Sequence, residues 1–370
     1  MSESIYGVDQ FYSGDLAQIL IGVYKGDGKQ RPLGIPTVKD RIVQQAVKLI
    51  IEPIFEADFK DFSYAYRPNR SAKDASEEIR KQLNYGRTNV IDIDIKGFFD
   101  HINHEKMTFF VSRRIADPYI LKLIREWKRA GIVFEGETTY PMEGTPQGGV
   151  ISPLLANIYL NELDTLWARR KMHDRYGENA RRKMHDRYGE NAHLIRYSDD
   201  TVILTDRNPE HAMDILKRII SLLDLELNME KTRITTAQEG FDFLGVHFVR
   251  KWSRHKNKEA TYVYPSEKAV ENFRENIKAT IPKNYAFRKP VAMAVKQVNA
   301  IIRGWYKYYK HTNARSIFAR LERYIDWKLA KYYCFIHKIP RVSSRKDIYY
   351  KVRDYGIETM NCGIKYVRNA

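Results

Sequence analysis

The chain has 370 residues, 43% of them hydrophobic, and a formal net charge of +17, which leaves ample apolar material for a sizeable core. Two cysteines, Cys334 and Cys362, exclude a disulfide framework and a four-cysteine zinc site and suit a reducing cytoplasm. No window approaches the roughly 18 consecutive apolar residues of a membrane span, and the N-terminus lacks the basic segment and apolar core of a signal peptide, so a soluble cytoplasmic protein is expected.

The charge is unevenly placed. From Val249 onward there are 28 lysines and arginines against 9 acidic residues, whereas the part before it holds 35 against 37. A near-neutral body followed by a strongly basic third points to a scaffold or catalytic part joined to a polyanion-binding part.

In chain order, residues 40–60 place Ile42, Val43, Ala46, Val47, Ile50 and Ile51 on one helical stripe. Val90, Ile91, Ile93 and Ile95 surround Asp92 and Asp94 in a short strand whose alternation puts both aspartates on one face. Residues 148–167 read as a loop entering a helix, with Ser152 as cap, Pro153 in the first turn, and Leu154, Leu155, Ile158, Tyr159 and Leu163 facing a core. "LIRYSDDTVIL" (194–204) reads as two strand halves about an aspartate pair. Asn208-Pro209 then starts a helix with Ile215, Leu216, Ile219, Ile220 and Leu223 on one side. Residues 240–251 form another strand, and beyond it the pattern is long, basic and helical. Interleaved strands and helices make the body α+β or α/β, followed by an all-helical tail.

One feature is not architectural. "ARRKMHDRYGEN" occurs at residues 168–179 and again, unchanged, at 180–191. Two copies of a 12-residue unit are too short and too few for a solenoid, so a duplication in a polar connection is the simpler reading.

Two adjacent aspartates within a strand-like run are destabilising unless a cation sits beside them. A single such pair is most often a solvated turn. Asp199 and Asp200, however, stand at the tip of a predicted hairpin, and Asp94 lies on a different strand-like run, 105 residues before Asp199. If these segments share a sheet, three carboxylates meet, and hard oxygen ligands of that kind select Mg²⁺ or Mn²⁺.

"DIDIKGFFDHI" (92–102), "GTPQGGVISPLLANIYLNELD" (144–164), "RYSDDTVIL" (196–204), "LNMEKTRI" (227–234) and "FDFLGVHF" (241–248) follow one another in the order found in group II intron-encoded reverse transcriptases, which the chain resembles from about residue 24 to its end. Residues 26–56 resemble the fingers segment of the same enzymes. The resemblance implies an α+β right-hand polymerase: a shortened N-terminal segment and fingers over 1–88, a palm over 89–248, and a basic helical thumb and maturase domain over 249–370. It implies an RNA-directed DNA polymerase that uses two Mg²⁺ ions, with Mn²⁺ able to substitute, and deoxynucleoside triphosphates. Asp94, Asp199 and Asp200 would be catalytic and hold the metal, and Lys231 would protonate pyrophosphate. Lys25 and Arg31 would grip the triphosphate, Phe99 would reject the ribose 2′-hydroxyl, and Gln147 would sit by the incoming nucleotide, with Gly148 and Gly149 allowing close backbone approach.

The basic tail interleaves cations with Trp305, Tyr306, Tyr308, Tyr309, Trp327, Tyr332 and Tyr333, a pattern suited to RNA. There Arg303, Lys307, Lys310, Arg315, Arg320 and Arg323 are expected to face intron RNA, the implied partner together with a DNA primer or target. Ile301, Ile302, Trp305, Tyr308 and Tyr309 would form the packed stripe. The family usually has alanine where Ser198 stands. About 15 residues separate "YGVDQ" from "YKGDGKQRPLG", where relatives carry several dozen; with the tandem copy, this leaves open a polymerase activity reduced by the shortened N-terminal fingers. No second metal-binding cluster follows the tail, so no fused DNA endonuclease is expected. Two other readings stay open: a splicing cofactor whose palm is only a scaffold, and a domesticated reverse transcriptase in a defence system.

Overall fold

A computed structural model describes residues 17–24, 30–129, 131–134, 137–139, 149–170, 192–255, 257–281, 289–339 and 345–360. Lys25, Gln147, Gly148 and all but the first three residues of the tandem copies lie outside these, and Arg31 is described by its backbone alone. The chain divides into two compact units, Met1–Thr235 and Thr236–Ala370.

In the first unit, strands β1 (Ala17–Tyr24) and β2 (Gln30–Ile35) pair antiparallel, with Arg31 opposite Val23. Strand β4 (Gly131–Phe134) joins β1 in parallel, and β5 (Glu137–Thr139) pairs with β4. A second sheet has the order β6-β7-β3-β8, built from β3 (Asn89–Ile93), β6 (His193–Tyr197), β7 (Asp200–Thr205) and β8 (Arg233–Thr236). One face of this sheet presents Ile91, Ile93, Leu194 and Ile203 to a single apolar cluster with α1 (Val38–Glu56), α3 (His104–Ser112), α4 (Pro118–Arg129), α5 (Ser152–Arg170) and α6 (Pro209–Leu222). Helix α2 (Ala72–Asn84) packs against β6 and β7.

Local chemistry starts these helices. Thr37, Ser71, Asn103 and Asn208 each accept hydrogen bonds from first-turn amides, and Pro209 follows the last of them. Helix α5 is buried almost all round over residues 154–160, including all five predicted core positions up to Leu163.

Helix α1 departs from the expected stripe. Its buried face is Asp40, Gln44, Val47, Ile51 and Phe55, whereas Ile42 and Ile50 stay more than 60% exposed and Ala46 is exposed. The six predicted positions were three adjacent pairs. Neighbours on a helix point about 100° apart, and the core takes the 40-44-47-51-55 row. Val38, Ile42, Leu49 and Ile50 thus leave an apolar face outward.

In the second unit, β9 (Phe241–Phe243), β10 (Val246–Ser253) and β11 (Lys258–Pro265) form an antiparallel sheet of order β11-β10-β9. Helices α7 (Glu267–Thr280), α8 (Val291–Tyr309), α9 (Arg315–Ile336) and α10 (Arg345–Arg353) follow. Phe273, Trp305, Tyr309 and Phe318 pack ring to ring at centroid separations of 4.5–5.6 Å. Ile302 and Tyr309 are buried, Ile301 and Trp305 are half-buried, and Tyr308 is 38% exposed. Among the described residues no helix is long and apolar enough to cross a membrane.

Candidate active site

The β6–β7 hairpin closes through Tyr197 and Asp200, which leaves Ser198 and Asp199 as its two-residue loop. Ser198 has φ of 61°, the only one of the two with a positive value. That matches a II′-type turn, whose first loop position favours glycine. The Ser198 hydroxyl is buried and finds no hydrogen-bond partner.

Beside this hairpin, β3 runs antiparallel to β7 with Asp92 opposite Val202 and Ile93 opposite Thr201. One step further, Asp94 leaves the strand next to Asp200. Its position is fixed from the 226–232 segment: Asn228 N–H donates to the Asp94 carbonyl (2.8 Å) and Asp94 N–H donates to Thr232 Oγ1 (3.2 Å). The same turn brings Lys231 Nζ to 3.2 Å from Asp94 Oδ2. On β8, Arg233 Nε stands 3.5 Å from Asp92 Oδ2.

The electrostatics follow from this crowding. Asp200 keeps an exposed edge, yet its carboxyl is pushed up to about 6. Partial burial is the largest cause, then the charges of Asp199, Asp94 and Asp92, with Lys231 pulling the other way. Three carboxylates, one of them held above its ordinary range by burial and then by like charges, suit a hard divalent cation in chemistry. As the side chains stand, no group of three or more His, Cys, Asp or Glu among the described residues is gathered closely enough to hold an ion; strand register brings Asp94 and Asp200 together, and Lys231 supplies the positive charge beside Asp94.

Phe99 lies in the short 3₁₀ turn Phe98–Asp100, half-buried, with its ring edge-on to Phe98 at 5.1 Å. A Cβ added to Gly149 would meet Ser152 Oγ at 2.6 Å and Gln44 Oε1 at 3.2 Å. The close approach at that glycine is therefore to the start of α5 and to α1.

Two further residues support the hairpin, and neither was among the predicted site residues. Arg196 of β6 and Asp164 of α5 are both fully buried. Arg196 Nε donates to both Asp164 oxygens (2.9 and 3.1 Å), and Nη2 donates to Asp164 Oδ2 and to Ser63 Oγ (2.7 Å). Nη1 donates to Asn157 Oδ1 (3.2 Å) and to the Ser198 carbonyl (3.0 Å). All five donors of the guanidinium are engaged, and one holds the backbone of the aspartate turn. The sequence signal was present: a charged residue inside an otherwise apolar strand, and another on the apolar side of α5.

In the second unit, Arg303, Lys307, Lys310, Arg315, Arg320 and Arg323 are all exposed. Arg303 is engaged with Glu358 at 2.8 Å.

Comparison with known proteins agrees with this layout. Residues 23–248 match the family described as reverse transcriptase (RNA-dependent DNA polymerase), and residues 270–351 match the group II intron maturase-specific domain. The chain is 36% identical to Protein YkfC of Escherichia coli over 285 residues, covering 70% of this chain and 73% of that protein. It is 41% identical over 148 residues to the group II intron-encoded protein LtrA of Lactococcus lactis, covering 40% of this chain and 24% of LtrA. It is 28% identical over 351 residues to an uncharacterized 91 kDa protein in the cob intron of Schizosaccharomyces pombe, covering 80% of this chain and 43% of that protein. The matched stretch spans under half the length of the two intron proteins. The chain belongs to the group II intron reverse transcriptase and maturase family.

Proposed function

We propose that this protein is an RNA-directed DNA polymerase that also binds the RNA of a group II intron and promotes its splicing. The observation that supports this best is the strand register that sets Asp94 beside Asp200 at the tip of the Ser198–Asp199 hairpin, within the segment that matches reverse transcriptases.

Asp94, Asp199 and Asp200 would hold the divalent ions, Mg²⁺ by preference; when bound, these would acidify a primer 3′-hydroxyl and offset charge on pyrophosphate. The chain's own groups do the rest. Lys231 keeps a proton at Nζ beside Asp94 for the departing pyrophosphate. Phe99, five residues past Asp94, walls the sugar side of the nucleotide. Lys25 and Arg31 meet the triphosphate, for which the arginine fork is suited, and Gln147 sits by the incoming nucleotide. In domain terms, residues 1–88 serve as fingers, 89–248 as palm and 249–370 as thumb and RNA-binding part, in a cytoplasmic setting. Arg303, Lys307, Lys310, Arg315, Arg320 and Arg323 face the intron.

Primer extension on an RNA template with Mg²⁺ tests the reading. Synthesis that disappears in both Asp94→Asn and Asp199→Asn supports it; undiminished synthesis in either variant overturns the assignment. A second reading draws on the match of residues 270–351 to the maturase-specific domain: an RNA-binding splicing factor whose palm is a scaffold. It predicts intron splicing without any primer extension.

A further inference from the structure

Helix α9 carries one face unlike the rest of the basic unit. Trp327 is 42% exposed, Tyr324 is half-buried beside it, and their ring centroids lie 6.1 Å apart. Lys331 Nζ sits 3.9 Å from the Trp327 ring centroid, and Lys328 Nζ is 5.2 Å from Trp327 and 5.6 Å from Tyr324. From α7, the Arg274 guanidinium lies 5.8 Å from the Tyr324 ring, and Tyr324 Oη stands 3.5 Å from the Arg274 carbonyl oxygen. Arg320 and Arg323, one turn earlier on α9, are exposed as well.

Three acidic residues near this patch have partners of their own. Helix α9 has two, Glu322 and Asp326. Glu322 accepts from the Met360 amide, and Asp326 accepts from Arg353 at 2.9 Å. On α7, Glu275 is taken by Lys278 at 2.9 Å. Aromatic faces and cations alternate over the stretch from Arg320 to Lys331, roughly 16 Å of helix at 1.5 Å per residue. A salt-bridged protein partner would need carboxylates at each cation and gives no reason for exposed rings between them. A single nucleic-acid strand uses both, because phosphates and flat bases recur along it. A paired helix hides its base faces.

We propose that Tyr324 and Trp327, with Arg274, Lys328 and Lys331, bind an unpaired stretch of RNA: a base stacks on the Trp327 indole, and the ammonium groups now lying over the ring move to the flanking phosphates. This rests on the reading that the basic unit binds RNA, and adds where and how an unpaired nucleotide is held; Lys328, Lys331 and Arg274 are not among the cations predicted from sequence.

The test uses the full chain and a fluorescein-labelled oligouridylate of about 12 nucleotides, with a blunt RNA duplex of similar length as control. Trp327→Ala should weaken binding of the single strand roughly 5- to 100-fold and leave the duplex unchanged, and Trp327→Phe should restore most of the loss. Replacing Lys328 and Lys331 together by glutamine should lower the salt slope of single-strand binding by about 1.4, at roughly 0.7 per phosphate. With 5-iodouridine in the oligonucleotide, photocrosslinking should map to the peptide containing Tyr324 and Trp327. If the wild-type chain binds the strand but Trp327→Ala binds equally well, or duplex binding falls in parallel, or the crosslinks map elsewhere, the site is overturned while RNA binding stands. If the wild-type chain binds neither probe, both fall.

Discussion

Cutting the Asp164 carboxylate from beneath the aspartate hairpin is the sharpest test of how the candidate active site is held. Asp164→Ala strands the Arg196 guanidinium in a place with no access to water, since both residues are fully buried. The change removes the acceptor for Nε and one of two acceptors for Nη2, while Ser63, Asn157 and the Ser198 carbonyl remain. Two charge-assisted hydrogen bonds at about 1.5–3 kcal/mol each give a loss of about 3–6 kcal/mol, which spans the range of about 3–5 kcal/mol found when one partner of a buried ion pair is deleted. That is about a fifth or more of the stability of an ordinary domain. Urea unfolding followed by circular dichroism measures it, with the midpoint expected to fall at an unchanged slope. The double variant Asp164→Leu with Arg196→Met should recover most of the stability, because an apolar pair of similar volume removes the stranded charge. It should still extend primers poorly, since the Ser198 carbonyl has lost its donor. A loss below about 1 kcal/mol in Asp164→Ala, or a stable double variant with full synthesis, would refute the argument.

Three other outcomes follow from particular contacts. Ser198→Ala removes a buried hydroxyl that has no partner and should stabilise the protein by about 1 kcal/mol, read as a higher urea midpoint. Phe99→Ala should raise incorporation of ribonucleotides relative to deoxyribonucleotides by roughly tenfold or more, measured by extension with each triphosphate alone; an unchanged ratio would return Phe99 to a purely packing role beside Phe98. A hydrogen bond from His193 is the main reason the Glu78 carboxyl is held down to about 2, with burial opposing and Gln82 assisting. A depressed carboxyl stabilises the fold above its unfolded value of 4.5 and loses that contribution as the pH falls. Thermal melts should therefore weaken between about pH 4.5 and 2, and Glu78→Gln should flatten that part of the profile.

Much of the site was legible because the motifs are local. The alternation marked β3 through Asp92, with Asp94 one step past its end, and the Asp199-Asp200 pair marked a hairpin tip. Lys231 could be placed near Asp94 only through family resemblance, since the turn that delivers it is held by the long-range bonds of Asn228 and Thr232 to Asp94. The α1 face was misread because periodicity does not say which of two adjacent apolar residues meets the core; Val47 and Ile51 do, and Ile42 and Ile50 do not. Arg196 and Asp164 each show as a charge among apolar neighbours, but nothing local pairs two residues 32 positions apart. In the basic unit, composition pointed to a polyanion partner, but the arrangement on α9 depends on Glu322 and Asp326 being drawn to Met360 and Arg353.

The bond between Arg196 and Asp164 also bears on what the gene can tolerate. It staples the far end of α5 to β6 on either side of the doubled dodecamer, so the spacing of those two elements is set by the staple and not by the chain that joins them. Doubling the length of a connecting segment costs only about 0.6 kcal/mol in closure entropy, several times less than the loss expected when one member of the staple is deleted. Duplications and deletions can therefore accumulate there without moving the aspartates.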